Sequence, residues 1–238
     1  MFNNPISQQK ADRIINILMI NSTSKVIDIG CGEGEFLKQI HEKSKADCLG
    51  VDIDSTCIEL ANQKIDQLDS GKKLRFLLSD IKSMQIDRNS YDLAVCIGSS
   101  HAFGEGKFAY PNTLKQLSDL LKPNGLVLLG EGYWKQKPDQ EYLDFIGEPS
   151  GIYNNHEQNI EQANSMGLIP LYTTVSNQDE WDHFEWSFLM NAELKAIAEP
   201  ENKEAQAKVK TIRKWNQYYR KFGRYTMGFG FYLFLKPE

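Results

Sequence analysis

Apolar positions along this chain follow two periods in turn. Short runs rich in Val, Ile and Leu occupy Lys25–Ile29, Asp47–Asp52, Leu74–Leu78, Tyr91–Ile97 and residues 126–130, the pattern of strands covered on both faces. Between them apolar residues recur three or four apart, which marks helices with one buried side. Ile14, Ile15, Ile17 and Leu18 predict a helix over residues 7–20 that packs over the sheet edge. A second helix is expected over residues 33–41 and a third over about 55–68, with Ile58, Ala61, Ile65 and Leu68 on one face and Asp54 to Thr56 as caps. Leu114, Leu117, Leu120 and Leu121 mark another before the Pro123-Asn124-Gly125 turn. Strands that alternate with helices imply parallel pairing.

The second half is less regular. A helix near residues 157–166 precedes a strand at 168–176, a long helical stretch covers 192–220, and a last apolar run spans 228–235. At 238 residues the chain is read as one domain, 1–238. The segment from about 132 to 221 exceeds what a minimal alternating fold needs and, with its flanks, holds all four tryptophans. Such an addition is expected to cover a site, because ligands sit beyond the carboxyl ends of parallel strands.

The strongest chemical signal is the stretch Val26-Ile27-Asp28-Ile29-Gly30-Cys31-Gly32-Glu33-Gly34, with Asp52 ending the following strand. A strand that breaks into a glycine-spaced turn lets backbone pass close to a ligand, and an acid at the next strand end can accept from both ribose hydroxyls. The spacing departs from the Gly-x-Gly-x-x-Gly of dinucleotide folds, and Glu33 and Glu35 would repel a pyrophosphate. A nucleoside ligand without phosphate fits better, which opposes a nicotinamide dehydrogenase.

These residues resemble the first motif of the class I S-adenosylmethionine-dependent methyltransferases. The resemblance continues at Asp52, at Leu77-Leu78-Ser79-Asp80, along Tyr91 to Gly98, and along Leu120 to Leu129, and so covers roughly residues 20–132 in the expected order. From Gly98 to Trp134 the chain is similar to small bacterial methyltransferases whose family name specifies no substrate. The resemblance implies a doubly wound, mostly parallel seven-stranded α/β sheet of the Rossmann-like kind, with helices on both faces, an antiparallel last strand and a helical cover inserted before it. It implies S-adenosyl-L-methionine as cofactor and S-adenosyl-L-homocysteine as product. By motif match, Asp28 would meet the methionine ammonium, directly or through water. Gly30, Cys31, Gly32, Ile97 and Gly98 would give close contacts, Asp52 would hold the ribose, and Ile53 would pack on adenine. Asp80 and Ile81 would meet the adenine edge.

For the acceptor side, the loop after the fourth strand reads Gly98-Ser99-Ser100-His101. It lacks the Asp/Asn-Pro-Pro-aromatic tetrapeptide of amino-methylating nucleic acid enzymes and the acid cluster of metal-dependent relatives, so no metal is expected. His101 is read as a general base near neutrality or as a loop-shaping hydrogen-bond partner. His183, flanked by Asp182 and Glu185, is a second candidate base, and Glu131 should face the pocket. Ser100, His101, Tyr133 and Trp134 are expected around the substrate, and Trp186 in the core of the cover.

Charge and composition narrow the partners. With 27 Lys and Arg against 32 Asp and Glu, net −5, the chain lacks the broad positive surface that phosphate backbones need. A small-molecule acceptor is expected rather than nucleic acid. No apolar run approaches the roughly 20 residues of a membrane span, and no Cys-x-x-Cys pair occurs. A cytoplasmic protein is expected, with a non-catalytic cofactor-binding partner protein as the alternative.

Overall fold

A computed structural model describes residues 2–65 and 73–238. Five runs form strands where the apolar pattern puts them: β1 (Lys25–Ile29), β2 (Asp47–Asp52), β3 (Leu74–Leu78), β4 (Tyr91–Ile97) and β5 (Leu121–Trp134). With β6 (Ile169–Val175) and β7 (Met227–Leu235) they make one seven-stranded sheet in the order β3-β2-β1-β4-β5-β7-β6. The first five pair in parallel, while β7 runs antiparallel to both of its neighbours. The order reverses at β1 and β4, and ligands of open α/β sheets bind beyond the carboxyl ends of the strands at such a switch.

Helices cover both faces. On one, α1 (Gln8–Ile17), α2 (Glu35–Ser44) and α3 (Ser55–Ile65) bury Ile14, Leu37 and Ile58 in a cluster with Val26, Leu93 and Phe231. On the other, α4 (Ala109–Leu120) and α6 (His156–Ser165) pack Leu114, Leu117 and Ala163 on Ile27, Ala94 and Leu129. The first helix thus lies on a sheet face with α2, not over the edge, because four of its apolar residues are directed into that core. The second helix starts at Glu35 because Gly34, at φ +72, caps it in a left-handed conformation. The part of the third helix expected beyond Ile65, including Leu68, lies outside the described residues.

Strand β5 is far longer than the apolar run that predicted it. The Pro123-Asn124-Gly125 turn is absorbed as a bulge: Tyr91 pairs with Leu121 and Leu93 with Leu126, and Asn124 adopts φ +62. The strand then continues because β7 pairs with it from Leu126 opposite Leu235 to Trp134 opposite Met227. Residues 131–134 are therefore strand, with Glu131 and Tyr133 on the α4 side and Gly132 and Trp134 on the other.

The cover is built from α5 (Gln140–Ile146), the loop to α6, and a hairpin of α7 (Gln178–Ala198) and α8 (Lys203–Tyr218). The helical stretch expected from residue 192 is thus two helices, the first beginning 14 residues earlier at Gln178. Apolar residues on all sides of α7 hide its period. Trp186, expected in the core, is 46% exposed, because α7 turns that side to solvent. Among the described residues no helix is long and apolar enough to cross a membrane.

One buried cluster fastens the cover to the first helix. Asn177 and Glu180 cap α7 reciprocally, and Glu180 also accepts from the backbone N–H and hydroxyl of Ser7 at 3.0 and 2.6 Å. Lys10 pairs with the same carboxylate and donates to the carbonyl of Val175. Burial pushes the Glu180 carboxyl up, but these donors outweigh it and hold the group below its usual range. Removing one partner of a buried pair strands the other charge. Glu180→Ala is therefore expected to lower stability by about 3 kcal/mol or more, read from the urea midpoint; an unchanged midpoint would show that the cover is held elsewhere.

Candidate functional site

The site begins where β1 runs out. Gly30, Gly32 and Gly34 all have φ between +54 and +72, a region that side chains disfavour. The turn folds back on β2: the N–H groups of Gly30 and Cys31 both donate to the Val51 carbonyl, at 2.8 and 3.2 Å. Asp52 closes it from the strand end, accepting from Gly32 N–H at 2.7 Å and from Asp54 N–H at 3.0 Å. A Cβ on Gly30 would lie 2.2 Å from Ser99 Cβ, so the turn also meets the end of β4. A Cβ on Gly32 would touch nothing, which leaves an open space beside backbone.

Asp28, one residue before the end of β1, is buried and accepts no hydrogen bond among the described residues. Burial, with the charge of Asp52 nearby, pushes its carboxyl up to about 7. A carboxylate in that position awaits a donor or a cation. Ile53, the next residue after Asp52, is 71% exposed although apolar. Asp80 caps the turn Ile81–Ser83 through Lys82 N–H at 2.9 Å and stays exposed, while Ile81 is half-buried. Ile97 is half-buried, and Gly98, at φ +73, donates to the Gly130 carbonyl at 2.8 Å. Cys31 is half-buried and its thiol is pushed up by burial and by Asp28 and Asp52, so it stays protonated. Glu33 and Glu35 do not face the open space unpaired: Glu33 pairs with Lys64 at 2.8 Å and Glu35 accepts from Gln39 at 2.9 Å.

At the ends of β4 and β5 lies a cavity of about 850 Å³, lined by Gly98, whose neighbour Ser99 packs on the Gly30 turn. Ser100, His101 and Glu131 line it, joined by Tyr110 of α4 and by Tyr153 and Asn154 of the cover loop. Ser100 is buried, and His101 is exposed on a single helical turn, Ser100–Phe103. Glu131 is 6% exposed. Its Oε1 accepts from the N–H of Gly132 at 2.9 Å, while Oε2 is buried with no hydrogen-bond partner. Burial pushes this carboxyl up to about 7 against the opposing pull of Ser100 and the Gly132 N–H.

The remaining predicted residues are placed apart from that cavity. His183 lines a different cavity, of about 600 Å³, between α7 and the N-terminal segment. Its two acidic neighbours turn elsewhere: Asp182 accepts from Tyr219 at 2.6 Å and pairs with Arg224 at 2.9 Å, and Glu185 accepts from Trp215 Nε1 at 2.9 Å. Tyr133 is buried with its ring 5.3 Å from that of His156, and Trp134 is buried with its Nε1 donating to the Ser150 carbonyl at 2.8 Å. Both are strand residues under the cover, and neither lines the 850 Å³ cavity. Sequence reasoning missed Glu105, Lys107, Tyr153 and Asn154, which do. The turn-rich run Gly147-Glu148-Pro149-Ser150-Gly151 was the available signal that a loop crosses there.

Comparison with known proteins bears on the family and the fold. Residues 26–125 match the model of a methyltransferase-domain family. The chain is 22% identical over 187 residues to the protein YjhP of Escherichia coli, covering 76% of this chain and 72% of that one. It is 27% identical over 206 residues to phosphoethanolamine N-methyltransferase of Plasmodium falciparum, covering 85% and 72%. Its fold is shared with a S-adenosylmethionine-dependent methyltransferase from Geobacter sulfurreducens solved with S-adenosyl-L-homocysteine. That likeness has a TM-score of 0.88 at 21% identity and covers 100% of this chain and 94% of that one.

The raised carboxyl of Asp28 has a consequence for stability. A carboxylic acid that ionises near 7 when folded and near 3.8 otherwise holds its proton more tightly in the folded chain, so stability falls as pH rises from about 4 to about 7. Without ligand, Asp28→Asn is expected to lose less stability across that range than the unaltered chain, by a few kcal/mol. Urea midpoints at pH 5, 6 and 7.5 read the difference; identical slopes would mean that Asp28 is solvated.

Proposed function

We propose that this chain, which belongs to the class I S-adenosylmethionine-dependent methyltransferases, methylates a small molecule seated in the 850 Å³ cavity beside its cofactor groove. One observation supports the reading: the cavity is lined by Gly98, next to the Ser99 that packs on the Gly30 turn, and has the buried, incompletely satisfied Glu131 in its wall. Its volume falls within the roughly 300–1,000 Å³ of small-molecule sites. The Plasmodium falciparum relative, named for N-methylation of phosphoethanolamine, supports a small acceptor.

The residues present fit the cofactor. The unpartnered Asp28 carboxylate suits the ammonium of its amino acid tail, and the cation would keep Asp28 ionised. Asp52, fixed by two backbone N–H groups, is assigned to the ribose hydroxyls. The exposed face of Ile53 is assigned to adenine, with Asp80 and Ile81 at its edge and Gly30, Cys31, Gly32, Ile97 and Gly98 as close backbone or apolar contacts. When bound, S-adenosyl-L-methionine supplies a methyl group already activated as an electrophile, so the protein's task is mainly positioning. Ser100 and His101 orient the acceptor at one side of the cavity, and His101 or Glu131 takes a proton where the acceptor must lose one. His183, in the other cavity, takes no part. We read cover and cofactor half as one domain, acting in the cytoplasm on small molecules and not on nucleic acid.

Titration with S-adenosyl-L-homocysteine is expected to show saturable binding that Asp52→Ala weakens tenfold or more. Equal affinity would reject the ribose assignment. With labelled methyl donor and a panel of small acceptors, His101→Ala is expected to lower turnover while cofactor affinity stays the same. Transfer to no acceptor, despite tight cofactor binding, would turn the reading toward a non-catalytic partner protein.

A further inference from the structure

We infer that the acceptor is a small amine, bound as a cation and anchored by Glu131. The inference rests on the acceptor cavity proposed above and adds the chemical class of what it takes.

The starting point is the wiring of Glu131. Its Oε1 is used by the N–H of Gly132, and its Oε2 has no partner. Buried carboxylate oxygens are rarely left so; the Ser100 hydroxyl pulls on this carboxyl from the same cavity wall but closes no hydrogen bond to Oε2, and the tyrosine hydroxyls of this region are directed elsewhere. Tyr110 donates its hydroxyl hydrogen to the Asn159 carbonyl at 2.8 Å. The hydroxyl of Tyr232 is engaged with Asn159 Nδ2 at 3.2 Å and His156 Nδ1 at 3.0 Å. The open Oε2 can therefore take a donor from what enters the cavity.

Charge selects among donors. The other ionisable side chains around the cavity are Glu105, Glu148, Lys107 and His101. Three carboxyl groups therefore stand against one lysine, and that ammonium is drawn to the ring of Phe108, 5.3 Å from its centroid. An acceptor with a carboxylate or phosphate at this end would meet like charge without a facing arginine. An ammonium would meet a desolvated carboxylate, where a charge-assisted hydrogen bond is roughly twice as strong as a neutral one. Tyr153 lines the same cavity, and its phenol is pushed up by burial and then by the charge of Glu131, so an aromatic ring stands within reach of the carboxylate's field. Aromatic faces also attract cations. Glu131 then does two things for an amine: it fixes the nitrogen, and its Oε2 receives the N–H proton that must leave before the nitrogen has a lone pair to offer.

The test is titration of the chain saturated with S-adenosyl-L-homocysteine by three probes of one shape: benzylamine, benzyl alcohol and benzoate. Benzylamine is expected to bind at least tenfold more tightly than the alcohol, and benzoate more weakly than either. Glu131→Gln is expected to bring amine and alcohol within threefold, with S-adenosyl-L-homocysteine affinity unchanged. In the unaltered chain, the backbone amide resonance of Gly132, which donates to Glu131, is expected to shift with benzylamine and not with the alcohol. Equal binding of amine and alcohol, preference for benzoate, or an unmoved Gly132 amide would overturn the inference. Failure to bind S-adenosyl-L-homocysteine at all would instead strike at the cofactor assignment beneath it.

Discussion

Everything at this site depends on a backbone constraint after β1, where the chain must reverse in a left-handed path with no room for side chains. Gly30 and Gly34 take positive φ while packed on Ser99 and Phe76, at separations that a Cβ could not share. Because the turn is that tight, its N–H groups reach the end of β2, and Val51 and Asp52 accept them. The ends of β1, β2 and β4 are thereby fixed around one open space. The cost falls on Asp28, which is buried and, second to that, set near the charge of Asp52, so that it holds its proton to about 7.

A second consequence of sheet geometry is the depth of the cavity. If β5 had ended at Gly130, Glu131 would lie on a loop and be solvated. Pairing with β7 carries it on to Trp134, and strand alternation then turns Glu131 to the α4 side and Trp134 to the other. Trp134, Tyr142 and Leu143 form the small core under which the loop to α6 is held. The Trp134 indole donates to Ser150 within that loop, and the loop brings Tyr153 and Asn154 to the cavity. The tryptophan read as a substrate contact thus shapes the wall from behind. The hairpin of α7 and α8 is secured by the buried contact of Glu180 with Ser7 and Lys10, which joins residues 170 apart in the chain.

The cofactor half was legible because its signals are local. Strand edges at β1 to β4 follow from apolar runs, and the turn follows from glycine spacing. Asp28 and Asp52 follow from their positions relative to both, since parallel neighbours one helix apart in sequence must end side by side. The cover was legible only as an excess of chain. Helix α7 is apolar on all sides, so no period marked its start at Gln178. His183 carried acidic neighbours, but on a helix side chains at 182, 183 and 185 diverge, and here Asp182 and Glu185 serve Arg224 and Trp215.

The sequence by itself therefore determined the alternation of strand and helix, the left-handed turn and the carboxylates at two strand ends, because each rests on residues close together in the chain. Only the tertiary structure decided that Glu131, and not His183, shares a cavity with His101, that Trp134 supports a wall, and that Lys10 and Glu180 hold the cover. Those outcomes depend on which distant strand pairs beyond Gly130 and on which side chains burial leaves without water, and neither is written in local spacing.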